Sequence, residues 1–169
     1  AFEKLTKGKL VEGYGLTEAS PVTHANPLGG NRKVGSIGVP LPSTEAAVLD
    51  LVHARKEVKT GQIGELAIRG PQVMLGYWKN ESATREALTP DGWLLTGDVA
   101  QMDEDGYFRI IARKADMWYP AKPDSPEEAG KPKPAFPRDV EEVLYEIPQV
   151  KEAAVVAIAL LFLAFGHIR

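Results

Sequence analysis

Two stretches carry the side chains best suited to chemistry: Gly13-Tyr14-Gly15-Leu16-Thr17-Glu18 near the start and Thr96-Gly97-Asp98 near the middle. Gly13 and Gly15 leave the backbone bare on either side of an aromatic ring. A flat group can therefore lie against Tyr14 while its edge approaches the main chain. Thr17 supplies a hydroxyl and Glu18 a carboxylate. In the second stretch a glycine turn lifts Asp98 out of apolar surroundings. A carboxylate held this way can accept both hydroxyl hydrogen bonds of a ribose cis-diol. Arg113 and Lys114 follow the next run and would meet a nucleotide's negative charge. Each stretch also has a plainer reading: Gly-Tyr-Gly as a bend, and Thr-Gly-Asp as a turn whose aspartate caps neighbouring N–H groups. His24 reads as a surface loop residue rather than a ligand.

The elements that must position these residues are mostly short strands. Trp93–Leu95 with Val99–Met102, and then Tyr107–Ile111, are strand-like runs flanking the turn cluster Asp103-Glu104-Asp105-Gly106. Leu10 and Val11 suggest a strand end before the glycines, and Phe2 and Leu5 the last turns of a helix stopped by Gly8. From Gly35 to Gly70 the composition is that of strands and turns, with Pro40 and Pro42 as breaks and His53–Thr60 as an exposed hairpin tip. Within Glu65–Gly70, Leu66 and Ile68 share one face, and Glu65 and Arg69 flank it. Short strands with this punctuation argue for a small barrel or a distorted sandwich. Asn80 is a suitable N-cap for a helix over Glu81–Leu88, and Trp78 and Trp93 read as packing residues.

Beyond Asp116 the pattern changes. Pro120, Pro123, Pro126, Pro132, Pro134 and Pro137 forbid regular hydrogen bonding and predict an extended, exposed loop. Val140, Val143, Leu144 and Ile147 then give the i, i+3, i+4, i+7 stripe of an amphipathic helix over Arg138–Ile147, which Pro148 ends. Val150–Ile158 reads as a buried strand. The apolar run from Ala153 to Phe165 is too short for a membrane span, which needs about 20 residues.

The 169 residues leave room for one ordinary domain or two small ones. A net charge of −3 gives no electrostatic case for nucleic acid or anionic membrane. With no cysteine, disulfides and thiolate metal sites are excluded, and a cytoplasmic location is expected, with peripheral membrane association left open.

The stretches LVEGYGLTEASP, ELAIRG, PQVMLGYWKN, GWLLTGDVAQMDEDGYFRIIARKAD and DVEEVLYEIPQVKEAAVV, in this order, resemble the adenylate-forming superfamily, and most of all its long-chain fatty acid–CoA ligases. The resemblance implies an α+β fold: a β-barrel-like C-terminal part of the large domain over residues 1–111, a hinge with a proline-rich insert over 112–137, and the start of a small α/β C-terminal domain over 138–169. It implies ATP or AMP and Mg²⁺ as ligands and coenzyme A as co-substrate. The partners are then small molecules, with the missing parts of its own enzyme as a further candidate. Residue by residue, Gly13, Tyr14 and Gly15 would line the adenine and Thr17 would contact the α-phosphate as the catalytic hydroxyl. Glu18 would hold the metal, Asp98 the ribose, and Arg113 would lie beside the ribose at the hinge. The sequence departs from the family in three places. The phosphate loop that precedes YGLTE is absent, and the glycine loop after Asp116 is replaced by the proline-rich insert. The late adenylation lysine would fall beyond Arg169. Ala112 and Ala115 also replace usual residues near the hinge. The chain alone is therefore expected to be inactive, a part of an acyl-CoA synthetase. The alternative is a non-catalytic remnant that binds nucleotide or protein.

Overall fold

The computed structural model describes residues 2–53, 56–119 and 134–156. The chain divides into two compact units, Ala1–Lys114 and Ala115–Arg169.

The first unit opens with a short helix α1 (Phe2–Thr6) and is built on two antiparallel sheets. One contains β1 (Gly13–Gly15), β2 (Val22–Ala25) and β3 (Val39–Pro40), in that order. The other contains β4 (Glu45–Leu49), β5 (Ile63–Arg69), β6 (Leu94–Met102) and β7 (Phe108–Arg113), also in chain order. The first strand forms at the glycines themselves rather than at Leu10 and Val11. Phe108 joins the sheets: its carbonyl accepts from the Ile37 amide and its own amide donates to the Gly38 carbonyl. Gly38 has φ +90°, and a Cβ there would sit 2.0 Å from the Ala25 carbonyl carbon, so only glycine allows this approach.

Val48, Leu66, Ile68, Ala100 and Phe108 form the main core, with Tyr14 and Leu16 packed against it. Ala47, Leu49 and Ala67 form a second cluster, against which Trp93 and Leu95 pack. Leu66 and Ile68 do share a face, but β5 is covered on both faces, and Glu65 is buried rather than flanking. The four-stranded sheet is open among the described residues, not the closed barrel that the strand punctuation suggested. Four strands are too few to curl round a filled interior.

Helix α2 (Glu81–Ala87) starts where Asn80 accepts a hydrogen bond from the Ala83 amide at 3.1 Å. Trp93 is half-buried under the Arg69 guanidinium, 4.8 Å from the ring. Trp78, expected to pack, is instead 88% exposed.

In the second unit, helix α3 (Pro137–Tyr145) begins with proline at its first position and ends two residues before the expected Ile147. Trp118 and Ala135 pair as an antiparallel bridge. Residues 150–156 form no strand, and Ile158 lies outside the described residues. So do Pro120, Pro123, Pro126, Pro132 and the end of the apolar run.

Candidate nucleotide site

The site is built where β1 meets the middle of β6. Gly15 can be nothing larger: a Cβ there would lie 2.1 Å from the Pro21 carbonyl oxygen, because the chain turns back at once and Leu16 N donates to that oxygen. This tight return sets the Tyr14 ring into the core, edge-to-face with His24 at 6.0 Å between ring centroids. The Tyr14 hydroxyl then reaches across 84 positions of sequence and donates to Asp98 Oδ2 at 2.5 Å.

Asp98 is held out at this point by a distortion of β6. Glu65 pairs with Val99 and Ala67 with Leu95, so two steps along β5 oppose four along β6. Thr96, Gly97 and Asp98 thus stand opposite the single residue Leu66, a surplus of two, with Gly97 at φ +72°. Such bulges re-aim side chains and are frequent beside functional sites. Three hydrogen bonds fix the bulge: Thr96 Oγ1 donates to the Leu66 carbonyl, the Asp98 amide donates to Thr96 Oγ1, and the Gly97 amide donates to Glu65 Oε1. A second irregularity, between Val99 and Ala100, brings β7 into register so that Arg113 lies opposite Asp98. Arg113 Nε sits 3.1 Å from Asp98 Oδ1.

Asp98, 6% exposed, accepts a hydrogen bond from the Tyr14 phenol and is ion-paired with the Arg113 guanidinium. A carboxylate has about four lone-pair positions, so two contacts leave acceptor capacity for further hydroxyls. Burial, then the hydrogen bond to Asp98 and its charge, push the Tyr14 phenol well above the usual tyrosine range. Tyr14 therefore stays a proton donor at any ordinary pH.

The structure thus brings Tyr14, Asp98 and Arg113 together, with Gly13 and Gly15 on either side of the tyrosine. Thr17, itself exposed, opens a 3₁₀ turn, Thr17–Ala19, three residues beyond Tyr14. Three residues span at most about 11 Å, a distance that a nucleotide bridges. The Glu18 carboxylate is half-buried and takes its hydrogen bond from another quarter, the Tyr77 hydroxyl at 2.8 Å. That bond, with burial and the Glu18 charge behind it, raises the Tyr77 phenol. Among the described residues no group of three or more His, Cys, Asp or Glu side chains converges as a metal site.

Several residues were misread or missed. His24 is fully buried on β2, its ring edge 5.0 Å from Phe108, and not in a surface loop. Lys114 does not face solvent for an incoming phosphate but binds Glu65 Oε2 at 2.5 Å. Glu65 and Thr96 were missed as supports of the turn. The one signal for Glu65 was an acid inside the run Gly64-Glu65-Leu66-Ala67-Ile68, where it reads as flanking the face of Leu66 and Ile68. Nothing in the sequence tied Tyr77 to Glu18.

A family model described as "AMP-binding enzyme" matches residues 1–78. The long-chain-fatty-acid–CoA ligase of Bacillus subtilis (strain 168) is 45% identical over 163 residues, which cover 93% of this chain and 26% of that protein. The chain belongs to the adenylate-forming, AMP-binding superfamily. Among solved structures of the superfamily, ATP-bound MatB from Rhodopseudomonas palustris superimposes with a TM-score of 0.75 at 31% identity, covering 92% of this chain and 28% of that one. O-succinylbenzoate coenzyme A synthetase (MenE) from Bacillus subtilis, in complex with AMP, superimposes with a TM-score of 0.71 at 26% identity, covering 94% of this chain and 30% of that one. The chain spans about a quarter of the length of the curated relatives it matches. Among its described residues, no helix is long and apolar enough to cross a membrane.

Proposed function

We propose that this chain supplies the ribose- and adenine-contacting wall of an acyl-CoA synthetase of the long-chain fatty acid–CoA ligase type. The observation that carries this reading is the Tyr14–Asp98–Arg113 cluster, formed by residues far apart in sequence on a bulge that presents one carboxylate. Asp98 accepts the ribose hydroxyls, Tyr14 with Gly13 and Gly15 borders the base, and Arg113 balances charge beside the sugar. Thr17 donates its hydroxyl to the α-phosphate. In the reaction of the whole enzyme, a carboxylate oxygen of the acid bonds to the α-phosphorus and the bond to pyrophosphate breaks. A thiol, that of coenzyme A, then displaces AMP from the acyl group.

Glu18 suits magnesium: it is an all-oxygen donor, partly open, with one of its oxygens oriented by Tyr77. Mg²⁺ commonly binds through one or two carboxylates plus substrate phosphates, so the lack of a larger acidic cluster among the described residues fits it. The metal, when bound, neutralises phosphate charge. The domain reading stays as expected from sequence: a large-domain portion over 1–111, a hinge and insert over 112–137 and the beginning of the small domain from 138.

The 169 residues alone do not complete adenylation. Among the described residues, the groups this reading assigns to charge developing on the phosphates are Thr17, Glu18 through its metal, and Arg113. Each missing donor of the oxyanion-hole kind costs about 3 kcal/mol, roughly a hundredfold in rate. The direct test of the site is AMP binding by ligand-detected NMR. Wild type is expected to bind and Asp98→Ala to lose binding; equal binding by both would refute the assignment. ATP–pyrophosphate exchange with acids from acetate to palmitate tests the second claim. Acid-dependent exchange abolished by Thr17→Ala would show that the chain is itself a working enzyme.

A further inference from the structure

Glu65 is 3% exposed, yet its carboxylate is fully engaged. Oε1 accepts the Gly97 amide at 3.1 Å, and Oε2 accepts Lys114 Nζ at 2.5 Å. Lys114 follows directly on Arg113, which pairs with Asp98. Two consecutive cations leaving β7 are thus sorted onto two acids on either side of the same bulge. A side-chain carboxylate in this place needs a reason, because an apolar residue would fit the covered face of β5 without desolvating a charge. The geometry offers one. Gly97 sits in the left-handed region, so its amide leaves the ladder and turns to where Glu65 lies. An orphaned amide there would free the turn, and the next residue is Asp98.

We propose that Glu65 is a positioning residue for the Asp98 site: neutralised by Lys114, it holds the Gly97 amide and thereby fixes the direction of the Asp98 carboxylate. The positioning itself stands on the hydrogen bonds above; its consequence for nucleotide selection rests on the ribose reading of Asp98. Glu65 touches no reacting group. It acts through the backbone, and Lys114 keeps its negative charge from repelling a phosphate nearby.

The test compares two double variants that both remove the ion pair. Glu65→Leu with Lys114→Met replaces it by apolar groups of similar size, an exchange that buried pairs commonly tolerate. Glu65→Gln with Lys114→Met keeps an acceptor for the Gly97 amide. Hydrogen exchange by NMR is expected to show Gly97 roughly tenfold faster in the leucine variant than in the glutamine variant. Val99 and Ala100, held in the ladder, should stay unchanged. Equal Gly97 rates in the two would overturn the proposal. If the leucine variant does not fold, Glu65→Val with Lys114→Met takes its place against the same glutamine variant: faster Gly97 exchange in the valine variant supports the proposal, and equal rates overturn it. A second readout is the preference for AMP over 2′,3′-dideoxy-AMP, expected in wild type, roughly tenfold weaker in the leucine variant, and restored by glutamine. Absence of that preference in wild type would refute the ribose reading, while the Gly97 rates would still judge the positioning.

Discussion

Lowering the pH should destabilise this protein through one residue, His24. Its ring is fully buried, with Nδ1 2.9 Å from the Thr23 hydroxyl and Nε2 without any partner. Tyr14 and Phe108 lie edge-on to it at 6.0 and 5.0 Å, so an imidazolium here would place a charge and an unpaired N–H among aromatic rings. Burial accordingly lowers its pKa from 6.5 to about 4. The sign follows: the unfolded chain binds a proton at a higher pH than the folded one, so the stability is complete above about pH 6.5 and is lost as pH falls towards 4. A gap of this size amounts to about 3 kcal/mol at 1.36 kcal/mol per unit. That is a large share of the 5–15 kcal/mol typical of a domain. Urea denaturation followed by circular dichroism, from pH 7.5 to 4, gives the stability of wild type and of His24→Leu. Exposed carboxylates titrate in both proteins, and the Thr23 hydroxyl loses its partner in the variant at every pH. The difference between the two curves therefore isolates the imidazole. It should move in favour of the leucine variant by about 3 kcal/mol over this range. A difference that stays flat would refute the reasoning and imply that water or a rearrangement satisfies Nε2.

Removing the Asp98 carboxylate in Asp98→Ala leaves the Tyr14 hydroxyl without its acceptor, at a cost of about 1–3 kcal/mol by urea denaturation. The Tyr14 phenol, followed by ¹³C NMR of labelled tyrosine, should titrate at lower pH than in wild type. Gly15→Ala pushes a methyl group into the Pro21 carbonyl and should destabilise by about 3 kcal/mol, the upper end of overpacking, measured by thermal melting. Asn80→Ala should cost about 1 kcal/mol through loss of the α2 cap, again by urea denaturation, and leave AMP binding unchanged.

What the sequence made legible was local. Asn80 announced helix α2, and the stripe Val140, Val143, Leu144 and Ile147 announced α3, because caps and helical periodicity act over neighbouring residues. The glycines at 15 and 97 marked the places where the backbone departs from a regular strand. What stayed hidden depends on partners far along the chain. The burial of His24 follows from Phe108 on another sheet, and that of Glu65 from Lys114 and from a sheet covered on both faces. Alternation along one strand cannot distinguish a solvated acid from a buried one. Trp78 was misjudged for the converse reason: an aromatic next to Gly76-Tyr77 suggests packing, but the Tyr77 hydroxyl alone is drawn inward, to Glu18. The open sheet was missed because short strands and turns recur in barrels and open sheets alike.

The exposure of Trp78 has a spectroscopic consequence. The chain has three tryptophans, and Trp93 and Trp118 are half-buried while Trp78 stands almost free in water. Its emission should form the red edge of the fluorescence spectrum and be the fraction most readily quenched by iodide. Its neighbour Tyr77 is bonded to the Glu18 carboxylate, and the Met74 amide to the Glu18 carbonyl, so the segment around Trp78 is moored to Glu18 at two points. An ion or phosphate arriving at that carboxylate would tug on both moorings. On the role proposed for Glu18, the iodide-quenched emission of Trp78 should change as magnesium and ATP are titrated onto this chain.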